Sequence, residues 1–322
     1  MKLRELFLFS LLALTSCSSF RKMALGTASP LLMDATSELQ KEADWNLIKV
    51  GMPGNIMLVE GLLGVRPTDS ELLVSAIKAH SGAAYGIYET EYLDDKFADR
   101  KNSEAKKKAL THYSKAINHG LSFLDVNGVS LDDLTQAIAK DGGVEALLDS
   151  ELSHNDLNHE GVFYTAHAWG GFINLQRENM TLVAQLPIVK GMFDWVCKKA
   201  PDFNYGTCPI FYGSYEAGRP RMLGGNPDKG LEIFREALKR YPHNFMIYSS
   251  IIEYYAVPME EEDVFDEMAG HLEKAQKDLD KYLTRGPGEK LPESFSQEKL
   301  RLFQAIALKR YNIIKKYKKE IF

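Results

Sequence analysis

The residues best suited to chemistry are scattered, and most miss the spacing their chemistry requires. His159 and Glu160 open "HEGVF", which begins like the helical zinc-protease motif, where two histidines one turn apart hold the metal and the glutamate is the base. Phe163 stands where the second histidine is needed, so that reading fails. His154, Asp156, His159 and His167 could gather on a metal, but their spacing is irregular and surface or capping roles are expected instead. "GGNPDKGL" holds Gly225 and Gly230 at phosphate-loop spacing, yet Leu231 replaces the required lysine and no strand precedes it. Asn226 is expected to cap a helix there, with Pro227 and Asp228 in its first turn. No Gly-x-Ser-x-Gly elbow and no specific cysteine–histidine arrangement occurs. The expectation is a protein that is not an enzyme and uses no cofactor and no metal.

Binding remains. In "YTAHAWGGFINLQ", Trp169 is followed by Gly170 and Gly171 inside a helical pattern, where each glycine costs roughly 1 kcal/mol relative to alanine. Close helix packing, a bend, or backbone approaching a ligand could offset that cost. Aromatic residues such as Tyr85, Tyr88, Phe163 and Tyr164 recur nearby, and most are expected to be core.

The elements that must position these residues are helices. With 45% hydrophobic residues in 322, the chain can bury a full core, and its periodic segments carry no convincing strand alternation. The expected class is all-α: a TPR-like helical-repeat domain, or α-solenoid, of degenerate helix-turn-helix pairs. Helices are expected at 34–49 and 53–64, with "GMPGN" turning between them, and at 69–93, 103–123, 159–178, 181–199 and onward to 295–318. "GLEIFREALKRYP" meets the tetratricopeptide pattern through Gly230, Phe234, Ala237 and Pro242, and Ala109, Tyr113 and Ala116 repeat its first three elements. Such stacks present a concave surface that holds peptides, partners or ligands. A net charge of −5 gives no electrostatic reason to expect nucleic acid.

Lys2 and Arg4 followed by "LFLFSLLALTSC" read as an export signal. Leu14-Thr15-Ser16-Cys17 resembles a bacterial lipobox, which makes residues 1–16 a lipoprotein signal peptide, Cys17 the acylated anchor, 17–32 a lipidated tether and 33–322 the helical domain. Ser18 rather than Asp favours the outer over the inner membrane. Beyond the signal no run of about 20 apolar residues could span a bilayer. Cys197 and Cys208, the remaining even pair in an oxidising compartment, are expected to form a disulfide.

In order along the chain, the lipobox, "GMPGNIMLVEGLLGVRPTDSELLVSAIKAHSGAAYGIYE", "TAHAWGGFINL" and "RMLGGNPDKGLEIFREAL" resemble the TPR-like lipoproteins associated with TRAP transporters, the T-component family. The resemblance implies a homotrimeric periplasmic lipoprotein with a ligand-conducting pore or cavity. It also implies pairing with a periplasmic substrate-binding (P) component that passes a small organic solute to a membrane permease. Ala168, Trp169 and Gly170 match the family's Ala-Trp-Gly segment, and with Asn174 on the same helix and Tyr88 among the inner-helix aromatics they give the candidate ligand-binding residues Trp169, Gly170, Asn174 and Tyr88. Trp169 and Asn174 lie about 140° apart on an ideal helix, so both face one cavity only if it is wide or the helix bends. A scaffold for other envelope proteins is the alternative reading.

Overall fold

Every regular element among the described residues, 38–322 in this computed structural model, is helical, in agreement with the all-α expectation. Cys17 and the tether lie outside those residues. Helix α1 (Trp45–Leu63) begins where the Asp44 carboxylate accepts the backbone N–H groups of Asn46 and Leu47. It corrects one expectation: "GMPGN" is not a turn but lies within α1, with Pro53 inside the helix. An internal proline costs about 3 kcal/mol. Ile48, Ile56, Val59 and Leu63 are all buried along one side of the continuous helix, and burial worth about 1.5–3 kcal/mol per side chain outweighs that cost.

Helix α2 (Ser70–Ala83) runs through a π-helical turn, Ala84–Glu89, into α3 (Thr90–Phe97). Then follow α4 (Glu104–Val126), α5 (Leu131–Ala137), α6 (Gly143–Glu151), α7 (Asp156–Asn174), α8 (Met180–Val183) and α9 (Leu186–Lys199). Helix α6 lies in a stretch whose local sequence, with Gly142 and Gly143 adopting positive φ, does not announce a helix. Leu73, Ile77, Phe123, Val162, Trp169 and Trp195 sit in the core these helices share.

A second core is built from α10 (Thr207–Gly218), α11 (Pro227–Arg240), α12 (Phe245–Ile251), α13 (Glu262–Thr284) and α14 (Arg301–Lys315), with the short α15 (Lys318–Ile321) behind them. Helix α12 continues into a second π-helical turn, Ile252–Ala256. The spacing of small and aromatic residues along α11 has a direct steric basis. A Cβ on Gly230 would fall 2.7 Å from the Gly213 carbonyl oxygen, and the Phe234 ring, fully buried, lies against Gly213. Small residues therefore let α10 and α11 approach while the aromatic fills the space beside them. A disulfide joins Cys197 at the end of α9 to Cys208 at the start of α10, with Cα atoms 5.8 Å apart. Stacking of nearest neighbours alone would keep the two ends apart. Here α14 packs on α12 and also on α3, α1 and the turn at Leu39–Lys41, so the last long helix closes against the first elements.

Candidate functional site

A cavity of ≈ 620 Å³ lies between the two cores, within the range of small-molecule sites. Its walls come mainly from α1, α2 and the π turn after it, α4, α7, α9, α10, α12 and the π turn after it, and α14. Phe163, Tyr164, Phe193, Phe211 and Ile306 make the surface mainly apolar and aromatic. Few polar groups interrupt it. Ser214 is a lining residue whose hydroxyl oxygen is itself buried and has no hydrogen-bond partner among the described residues. A buried polar atom left this way costs about 1–3 kcal/mol unless something satisfies it. His167 Nδ1 lies 2.7 Å from Ser81 Oγ, and burial, with a smaller push from the Arg310 charge, lowers this imidazole to about 4, so it is neutral at pH 7.

The two π turns place the cavity's charged end. Wider turns of this kind release carbonyls from the helical ladder and rotate side chains that an α-helix would aim elsewhere. The Gly86 carbonyl accepts the Trp45 indole N–H at 2.8 Å, and the Tyr85 carbonyl accepts Thr90 Oγ1–H at 3.0 Å and an Arg310 N–H at 3.4 Å. Arg310 is fully buried between the turns. It donates to Glu253 at 2.7 Å and to Glu89 at 3.3 Å, one carboxylate from each turn, and stacks on the Tyr85 ring at 4.3 Å. Tyr113 O–H donates to the other Glu89 oxygen at 2.5 Å. One guanidinium thus serves two buried carboxylates. Burial pushes the Glu89 carboxyl up, and the Arg310 charge opposes that rise. Glu89, Asn174 and Arg177 also border a smaller pocket of ≈ 220 Å³ that includes Glu253.

The structure separates the residues singled out from sequence. Gly170 and Asn174 line the cavity, and Arg177 Nε donates to Asn174 Oδ1 at 2.9 Å. Trp169 faces the other way, buried in the first core with its indole N–H donating to Gln185 Oε1 at 2.8 Å. That opposition follows from the 140° between positions 169 and 174. Tyr88 is also off the cavity wall and stacks on His112, ring centroids 4.9 Å apart. Gly171 has the packing role: a Cβ there would fall 2.4 Å from Cζ of Tyr113. Gly170 has only Val189 Cγ1 near, at 3.4 Å, so it thins the wall without admitting a helix.

Of the four residues weighed as metal ligands, only His154 and His159 meet, 3.1 Å apart, while His167 lies at the cavity. Sequence reasoning missed Glu89, Glu253 and Arg310, because their partners lie 57 and 221 residues apart and no local pattern marks them. No curated protein matches the chain. The family model of the TRAP transporter T-component matches residues 41–322, nearly everything that builds the two cores and the cavity between them, and the chain therefore belongs to the TRAP transporter T-component family.

Proposed function

We propose that this T-component holds a small organic solute with an apolar body in the cavity between its cores, and receives it from a periplasmic substrate-binding (P) component. The carrying observation is the cavity itself, of ligand size and lined by aromatic rings. Glu89, His167, Asn174 and Arg177 supply the polar contacts that would orient the solute. The work is binding and transfer. Among the described residues no helix is long and apolar enough to cross a membrane, so translocation belongs to a partner. A lipid on Cys17 holds the protein at the outer membrane facing the periplasm, on the strength of Leu14-Thr15-Ser16-Cys17 and Ser18.

Mass spectrometry of the purified full-length chain tests both parts. The native spectrum should carry acyl mass on Cys17 and one retained small molecule. Gly170→Leu, which fills the cavity beside Val189, should lose the solute with its melting temperature little changed, and wild type mixed with loaded P component should regain it. Peptide binding without any solute in the wild-type protein would favour the scaffold reading. An unmodified Cys17 would remove the anchor.

A further inference from the structure

Outside the cavity, on the far side of α2, three ligating side chains converge from three helices. Glu60 of α1, His80 of α2 and His119 of α4 place one donor atom each within 4.8 Å of one another. Glu60 Oε1 lies 2.8 Å from His80 Nε2 and 3.3 Å from His119 Nε2. Around a tetrahedral zinc ion, bonds of about 2.0–2.1 Å put ligand atoms roughly 3.3 Å apart, so closing this set on an ion needs small side-chain movements. His80 is almost wholly buried, whereas His119 and Glu60 are partly open, which leaves a solvent-facing position for a water.

The second nitrogen of His80 is also positioned. His80 Nδ1 and His112 Nδ1 are 2.8 Å apart, so exactly one proton fits between them. With that proton on His80 Nδ1, His80 Nε2 presents its lone pair toward Glu60 and His119. Metal-bound imidazoles are held by an outer partner on their other nitrogen in this way. Tyr88 stacks on His112 and keeps that partner in place. Lys115 Nζ, 3.7 Å from Glu60 Oε1, is a nearby cation that opposes an ion; it is half exposed on a flexible stem and can swing into solvent.

We infer that Glu60, His80 and His119 form a binding site for one divalent transition-metal ion, best suited to zinc, that clamps α1 to α2 and α4. Two imidazoles and a carboxylate suit Zn²⁺, whereas Ca²⁺ and Mg²⁺ take oxygen sets and Cu(I) takes sulfur. The role is structural, since the large cavity opens on the opposite side of α2, where Lys78, Ser81 and Tyr85 line it. Helix α2 runs directly into the π turn that carries Tyr85 and Glu89, so the clamp would stiffen one cavity wall. The inference does not depend on the solute reading.

The full-length chain, stripped with chelator and desalted, is titrated calorimetrically with Zn²⁺ alone. One saturable equivalent per chain is expected, with a rise in melting temperature on zinc addition. Glu60→Gln and His119→Ala should each weaken binding by about 10-fold or more and abolish that rise, and His112→Phe should weaken it by about 10-fold through the outer partner. Melting of each metal-free variant reports its folding, and Co²⁺ absorption of the wild-type protein, with bands of a four-coordinate nitrogen and oxygen site, tests the geometry without any substitution. His154→Ala, in the other histidine pair, should change nothing. Absence of saturable zinc binding overturns the inference, as does binding that survives both Glu60→Gln and His119→Ala, or binding lost in His154→Ala.

Discussion

Arg310 is the residue on which the charged end of the cavity depends. Its guanidinium is fully buried with Glu89 and Glu253, and each carboxylate comes from a different π turn. Removing one partner of a buried ion pair typically costs about 3–5 kcal/mol, because the other charge is left unpaired. Arg310→Met should therefore destabilise the protein by about that amount at neutral pH. The pH dependence has a definite sign. Without the guanidinium, the Glu89 carboxyl is pushed further above its unfolded value, in the direction burial already drives it. A buried acid raised in this way favours folding where it is protonated, and its penalty grows as pH rises past the unfolded value near 4.3. The deficit of Arg310→Met relative to wild type should shrink between pH 7 and pH 5 in thermal or urea unfolding. A constant deficit across that range would mean that the loss comes from packing.

At the scale of the element, the question is why α7 tolerates adjacent glycines. Gly171 answers through α4: Tyr113 occupies the space a Cβ would need, is itself wholly buried, and donates its hydroxyl to Glu89. Gly171→Ala should cost about 1–3 kcal/mol, the usual penalty for overpacking. Gly170 borders open space at 3.4 Å from Val189, so Gly170→Ala should be neutral or stabilising by up to about 1 kcal/mol through helix propensity. Unfolding curves of the two variants measured side by side give the contrast. Equal losses at both positions would show that the helix needs both glycines for its backbone path.

At the scale of the whole molecule, α1 is apolar on two sides. One side packs inward through Ile48, Ile56, Val59 and Leu63, while Leu47, Val50, Met57 and Leu58 are exposed, Val50 at 78% and Met57 at 73%. By the 3.6-residue turn, positions 47, 50, 57 and 58 fall within about 100° of one another on α1, so these exposed apolar residues share one face. The prediction is that copies of the chain associate through this face, in the trimer that the family resemblance leads one to expect. Light scattering should give a trimer mass for wild type and a lower mass for the double variant Val50→Lys with Met57→Lys, whose own fold should melt near the wild-type temperature. A monomeric wild type, or a variant that keeps its mass, would assign the face to another partner.

The amino-acid sequence by itself determined the helical class, most helix starts and the tight register of α11, because caps, apolar periodicity and small-residue spacing act over a few residues. Asn226 does cap α11, with its side chain accepting the Lys229 N–H, and Gly230, Phe234 and Ala237 pack as their spacing implied. The ordered set of motifs sufficed to indicate the family. Local signals misled at "GMPGN", where burial on both sides of Pro53 overrode a turn-like composition. Only the tertiary structure decided the rest. Which glycine admits a neighbour and which borders space depends on how α7 is rotated against α4 and α9, and Trp169 and Asn174 part company for the same reason. The π turns change that rotation after Ala83 and after Ile251, bringing Glu89 and Glu253 onto Arg310 from far along the chain. The cavity exists because two cores meet there without filling the space between them. Such a gap is set by how whole helices dock, and no single stretch of sequence encodes it.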